Sequence, residues 1–221
     1  IWQIDCFIFK WGAVGTPFKN EAIDLSYVKQ VSKDIGKILS KKNAFHLIVV
    51  KSTVVPGTTD NVVTPIIEQY SKKENGIDFG VGMNPEFLRE GSAINDFMNA
   101  DRIILGSLDK ISSKYMNKIY DPFPNLQKIN TNNKTAEMIK YANNSLLATL
   151  ISFSNEIGNL CSSHKNVDVL DVLRGVHLDQ RISPIIDNDN RVKPGIISYL
   201  QAGCGFGGSC FKKDISNLVY I

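Results

Sequence analysis

Apolar residues fall in short runs early in the chain and at three- and four-residue intervals later. Ile4–Phe9 and Phe45–Val50 are apolar runs of strand length, the pattern of parallel strands covered on both faces. Phe79–Met83 and Arg102–Gly106 predict two more strands. Between them, Asp24-Leu25-Ser26 opens a helix to about Ser40, with Asp24 or Ser26 as N-cap and Val28, Val31, Ile35 and Ile38 as its apolar stripe. Pro56-Gly57 marks a turn, and a helix follows from Thr58 to about Tyr70. Strand and helix alternate throughout, so the expected fold class is α/β, a doubly wound parallel sheet over residues 1–130.

From Lys134 to about Ser163 the period changes. Ile139, Ala142, Leu146, Leu150, Phe153, Ile157 and Leu160 recur with no proline between them, which predicts one long helix. Lys140 and Asn144 share a face of it, one turn apart. Val167–Gly175 predicts a short helix, and Ile182–Gly195, rich in Asp, Asn and Pro, a loop. Residues 131–221 therefore read as an all-helical domain.

Ligands of doubly wound sheets bind beyond the carboxyl ends of the strands. Gly15-Thr16-Pro17, Ser52-Thr53 and Asn84-Pro85-Glu86 each follow a predicted strand directly. Three polar turns thus share one rim, a binding edge.

Composition narrows the class. The 221 residues are 43% hydrophobic and 21% charged, with a net charge of +3 spread among both signs. No like-charged run predicts nucleic-acid or membrane binding, and no apolar stretch reaches the roughly 18 residues that span a bilayer. Cys6, Cys161, Cys204 and Cys210 include no CxxC pair, so no metal site is expected. The setting reads as reducing and cytoplasmic. A buried strand rarely opens a domain, so more protein is expected before Ile1.

Residues 203–214, Gly-Cys-Gly-Phe-Gly-Gly-Ser-Cys-Phe-Lys-Lys-Asp, are the most chemically informative segment. Glycine lets a ligand approach the main chain closely. Cys210 follows the run, with Lys213 and Asp214 close behind. A thiolate beside cationic groups becomes a usable nucleophile. Asp214 falls on the same face as Cys210 if a helix starts here. The plainer alternative is a flexible loop with an inert cysteine.

Four motifs occur in order: Lys51-Ser52-Thr53-Val54-Val55-Pro56-Gly57-Thr58-Thr59, Asn84-Pro85-Glu86-Phe87-Leu88-Arg89-Glu90-Gly91-Ser92, Thr135-Ala136-Glu137-Met138-Ile139-Lys140-Tyr141-Ala142-Asn143-Asn144, and the Gly-Phe-Gly-Gly-Ser-Cys-Phe element. In this order the chain resembles the UDP-glucose/GDP-mannose dehydrogenase family from about Asp5 onward. The resemblance implies that residues 1–130 are the C-terminal part of an NAD-binding Rossmann domain, whose GxGxxG loop would precede Asp5. Residues 131–221 correspond to the helical central domain, and a UDP-binding domain would follow.

The implied activity is NAD-dependent four-electron oxidation of UDP-glucose to UDP-glucuronate. GDP-mannose or a UDP-N-acetylhexosamine is the alternative substrate. By motif position, Cys210 is the nucleophile. Asp214 holds or activates water, with Thr53. Lys140 is general base or stabiliser of the developing alkoxide, and Asn144 donates to the same oxygen. Glu86 and Glu90 flank the sugar and nicotinamide, either one a base for thioester hydrolysis. Val14, Gly15, Thr16, Pro17, Ser52, Thr53, Val54, Glu90 and Lys213 match cofactor contacts. Glu86, Phe87, Leu88, Arg89, Glu90, Lys140, Asn144, Tyr199, Gln201, Gly205, Phe206 and Gly207 match substrate contacts. Arg181 matches an arginine that reaches a neighbouring subunit's substrate, and a homodimer through the long helix is implied.

Three departures stand out: Lys10-Trp11-Gly12 interrupts a strand, Lys212 replaces a proline, and Asp187–Gly195 reads as an insertion. The competing reading is a catalytically incomplete remnant that serves as a dimerisation module.

Overall fold

The computed structural model describes residues 14–19, 22–89, 91–186, 190–207 and 209–218. The strand expected at Ile4–Phe9, the Lys10-Trp11-Gly12 interruption and Glu90 lie outside the described residues. The chain divides into two compact units. One runs through Ala142 and takes in the residues from Ser216; the other is Asn143–Ile215.

The first unit begins with a short antiparallel ribbon, β1 (Phe18–Lys19) and β2 (Ala22–Ile23), and then helix α1 (Ser26–Leu39). Leu25 holds the N-cap position without a side-chain bond. Asp24 Oδ1 instead accepts from the Ser26 amide at 2.8 Å. The buried stripe of α1 is Val28, Ser32, Ile35, Gly36 and Leu39, while Ile38, expected within it, is exposed.

The central sheet has the order β3 (His46–Val50), β4 (Phe79–Met83), β5 (Arg102–Ser107) and β6 (Gln127–Thr131). The pairs β3/β4 and β5/β6 are parallel, as expected. The middle pair is antiparallel, with Gly82 opposite Ser107 and Met83 opposite Gly106. The wholly parallel expectation is therefore corrected to a mixed sheet. A parallel return needs a crossover that covers a sheet face. Between β4 and β5 the only regular element among the described residues is α3 (Ala93–Met98), six residues with none buried. No crossover helix is built there. Strand β6 gave no sequence signal, because its polar residues form an edge.

Side chains alternate between the two faces of β3. Ile48 and Val50 join Val28, Ile35, Leu39, Phe79, Val81 and Ile104 in one core cluster. Leu47 and Val49 join Ile103, Leu105, Met116 and Tyr120 in another. The second cluster is covered by α4 (Lys110–Ile119), whose N-cap Asp109 accepts from the Ser112 amide at 2.7 Å. The helix expected from Thr58 opens as a π-helical turn, Thr59–Val63, and continues as α2 (Thr64–Ser71). Pro65 at its start lacks the amide for an ordinary helical bond.

Helix α5 (Asn133–Ser162) fulfils the long-helix expectation. It crosses β5 closely: a Cβ at Gly106 would lie 2.8 Å from the Ala136 Cβ. After it follow α6 (Val169–His177), the ribbon β7 (Ile185–Ile186) and β8 (Asn190–Arg191), a 3₁₀ turn at Gly195–Tyr199, and α7 (Ser209–Leu218), which passes from the second unit into the first at Ser216. The segment read as a loop thus holds a ribbon, anchored by Arg191 Nη1 donating to the Leu178 and Ser183 carbonyls at 2.7 Å each. Among the described residues no helix is long and apolar enough to cross a membrane.

Candidate active site

Strands β3 and β4 end side by side, Val50 opposite Met83. The two turns that leave them therefore emerge on one rim. Lys51 Nζ donates across it to Asn84 Oδ1 at 2.6 Å, and Tyr120 Oη donates to the same oxygen. Asn84 Nδ2 donates to the Ile104 carbonyl at 2.8 Å. A buried asparagine thus ties the rim to the sheet.

The residues matched to cofactor contacts come together in part. Thr16 Oγ1 donates to the Thr53 carbonyl at 3.2 Å, and Ser52 Oγ donates to the Val14 carbonyl at 3.3 Å. Gly15 is exposed, with no atom within 4 Å of where a Cβ would stand. Val54 is different: the whole residue is buried in the core. Hydroxyl-bearing turns and an open glycine at the carboxyl end of a parallel strand pair fit a dinucleotide.

Lys140 is 7% exposed on α5. Its Nζ lies 3.6 Å from Glu86 Oε1 and 5.1 Å from the centre of the Phe87 ring. The Arg102 guanidinium covers the same ring at 4.5 Å. Glu86 Oε2 also accepts from the Leu88 amide at 2.7 Å, which sets the carboxylate's direction. Sequence placed Glu86, Phe87 and Lys140 in one site, and the fold brings these three together.

In the second unit, Asn144 Nδ2 donates to Asp214 Oδ2 at 2.7 Å. Asp214 is 1% exposed. Its Oδ1 has no hydrogen-bond partner among the described residues and lies 3.5 Å from Lys213 Nζ. Cys210 is the second residue of α7, one turn before Asp214. The glycine segment leading to it is fixed from α5: the Gly203 amide donates to Asn155 Oδ1 at 2.7 Å. Gly205 has φ of +94°, a conformation that favours glycine. Phe206 packs edge-on to Phe211 at 5.7 Å. Tyr199, Gln201, Gly205 and Gly207 are exposed.

Two predicted arginines are engaged elsewhere. Arg89 makes a two-pronged pair with Asp96, at 3.0 Å and 2.6 Å. That guanidinium holds the Asp96 carboxyl well below the usual carboxylate range. Arg181 is largely exposed and grips Asp179 two residues away, with the same effect on that carboxyl. Leu88 is exposed.

Sequence reasoning gave no role to Glu137 or Asn133. Glu137 has no exposed surface, and it accepts from the Gly57 amide at 2.5 Å, the Thr59 amide at 2.9 Å and Thr59 Oγ1 at 2.6 Å. Burial pushes its carboxyl up, and the bonds from Thr59 and Gly57 pull it back. Asn133 Oδ1 accepts from the Met83 amide at 3.0 Å, and its Nδ2 donates to Asp60 Oδ1 at 2.8 Å. The available signal was a polar residue at i and i+4 on a face that otherwise buries Ala136 and Tyr141.

Residues 5–124 match the NAD binding domain of the UDP-glucose/GDP-mannose dehydrogenase family, and residues 134–221 match its central domain. The chain is 40% identical to the GDP-mannose 6-dehydrogenase of Azotobacter vinelandii over 94% of its length and 45% of that protein. It is 44% identical to a UDP-glucose 6-dehydrogenase of Bacillus subtilis over 95% of its length and 41% of that protein. A UDP-glucose dehydrogenase structure from Pyrobaculum islandicum superposes with a TM-score of 0.81 at 39% identity, covering 94% of this chain and 44% of that one. The chain thus spans somewhat under half the length of these relatives. Its first part is an NAD-binding domain, and the chain belongs to the UDP-glucose/GDP-mannose dehydrogenase family.

Proposed function

We propose that this chain carries the catalytic residues for the NAD-dependent oxidation of UDP-glucose to UDP-glucuronate, with Cys210 as nucleophile. Asp214 carries this reading. It is a buried carboxylate with one oxygen held by Asn144 and the other without a hydrogen bond among the described residues, 3.5 Å from Lys213 Nζ and one turn along α7 from Cys210. A buried acceptor without a partner costs about 1–3 kcal/mol. It is tolerated where a water or substrate group completes it.

NAD+, when bound, accepts a hydride in each of the two oxidations. Lys140, held by Glu86, takes the hydroxyl proton as general base or offsets the negative charge of the developing alkoxide as the primary alcohol becomes an aldehyde. The Cys210 thiolate adds to the aldehyde carbon, and the oxygen gains a proton, giving a thiohemiacetal. Loss of the second hydride and of that proton gives a thioester. Water held by Asp214 attacks the thioester carbonyl, the C–S bond breaks, and the thiolate leaves a carboxylate. A thiol in the first turn of a helix is more acidic than a free one, which suits Cys210. Thr53 supports the water, and Glu86 or Glu90 serves as base.

GDP-mannose is the second reading, since relatives of both specificities share about equal identity with the chain. A homodimer through α5 is supported by Leu146, Phe153 and Leu160, seven residues apart and each more than half exposed. Sedimentation that finds only monomer removes it. The chemistry is tested by following NADH from UDP-glucose, with GDP-mannose in parallel. Two NADH per sugar, abolished by Cys210→Ser, is the expected result. A folded chain that gives none with either sugar overturns the catalytic reading and leaves the dimerisation module.

A further inference from the structure

We propose that Glu137 is a positioning residue, which locks the turn after Thr53 to the helix that carries Lys140. The first amides of any helix lack intrahelical partners, and a nearby Ser, Thr, Asp or Asn commonly satisfies them. Here the local candidate is turned away: Thr58 Oγ1 donates to the Val55 carbonyl at 2.6 Å and makes no cap bond. The cap comes instead from Glu137, 78 and 80 residues along the chain, through the Thr59 and Gly57 amides. A carboxylate at a helix N-terminus is the favoured charge there. It also fills the place at which that terminus would hold a phosphate.

Glu137 does not act alone. Asn133, Glu137 and Lys140 lie at i, i+4 and i+7 on one face of α5. Each meets a different part of the rim. Asn133 takes the Met83 amide at the end of β4 and also reaches Asp60. Glu137 takes Gly57 and Thr59, four and six residues after Thr53. Lys140 takes Glu86, three residues after β4. The ladder fixes both turns to one helix face, so Thr53 and Lys140 keep a set separation. A slip of α5 by one residue breaks all three rungs. The catalytic consequence rests on the roles proposed above for Thr53 and Lys140; the clamp itself does not.

The clamp is tested by amide hydrogen exchange on the full chain, with no turnover required. In Glu137→Gln, one acceptor becomes a donor facing donors. Exchange over Gly57–Asn61 should quicken about tenfold or more while α4 and β5 stay within about twofold, the signature of local opening. Thr59→Val keeps both amide bonds and should change the same segment by no more than about threefold. Unchanged exchange at Gly57–Asn61, or one uniform rise through the first unit, overturns the proposal. If Glu137→Gln does not fold, Glu137→Asp, which keeps the charge one methylene shorter, is read by the same criterion. In active protein the clamp further predicts that kcat falls about tenfold in Glu137→Gln with KM for NAD+ within about twofold, partly restored in Glu137→Asp. Equal losses in kcat and folded fraction would show a merely structural role.

Discussion

Glu137 and Asp214 are both buried carboxylates, one in each unit, yet they are finished differently. Glu137 accepts three hydrogen bonds shared over both oxygens. Asp214 accepts one, from Asn144, and its Oδ1 keeps a lysine at 3.5 Å and no hydrogen bond among the described residues. A buried charge is stable when donors surround it. By that measure Glu137 is complete within the fold. Asp214 retains acceptor capacity that no hydrogen bond among the described residues fills. A finished carboxylate is framework; one with spare acceptor capacity, one helical turn from Cys210, is the candidate for machinery.

The largest effect that would break this contrast is on turnover. Asp214→Asn keeps the size of the side chain and removes the charge that would hold or activate water. Turnover should fall about a thousandfold, equivalent to about 4 kcal/mol of barrier. The melting temperature should stay close to that of the unsubstituted protein, because a neutral amide ends the cost of a buried charge. If thioester hydrolysis is the step lost, mass spectrometry should find a sugar-nucleotide adduct on Cys210. Unfolding in step with lost activity would make Asp214 another framework group and erase the distinction.

The same contrast explains what the sequence disclosed. Strands β3, β4 and β5 and helix α5 were legible because continuous apolar runs and an unbroken 3.6-residue period are strong signals. Which face of α5 is buried was not. Of the expected stripe, Ala142, Leu146, Phe153 and Leu160 are exposed and Ile139, Leu150 and Ile157 half-buried, while the buried face carries Glu137, Lys140, Asn144 and Ser154 beside Tyr141, Ala148 and Ile151. Hydrophobic periodicity cannot mark a face whose polar residues are buried by being bonded. The antiparallel β4/β5 pair was likewise hidden, since direction depends on whether the linking segment covers the sheet, and Ala93–Met98 does not. Lys140, Asn144 and Asp214 were singled out through motif order. Glu137 sat within the same motif, but its role appears only once Gly57 and Thr59 are folded against it.

A smaller effect sharpens the comparison through pH. The stability cost of Glu137→Gln should be largest at low pH. That cost should shrink as pH rises, for the following reason. Burial lifts the folded-state pKa of Glu137 above its unfolded value of roughly 4.3. The folded chain therefore binds the proton more tightly than the unfolded one. Stability from this group is complete below the unfolded value and declines as pH climbs through the folded one. Glutamine has no such dependence, so the difference between urea melts of the two proteins should narrow as pH rises. Asp96 provides the opposite sign within the same unit. Arg89 holds its pKa down, so its contribution is present above the unfolded aspartate value and is lost as pH falls through the folded one. The gap between the unsubstituted protein and Asp96→Asn should then widen with rising pH, where the Glu137→Gln gap narrows. Two parallel trends would mean that Glu137 is ionised as readily as a paired surface carboxylate, with its hydrogen bonds outweighing its burial.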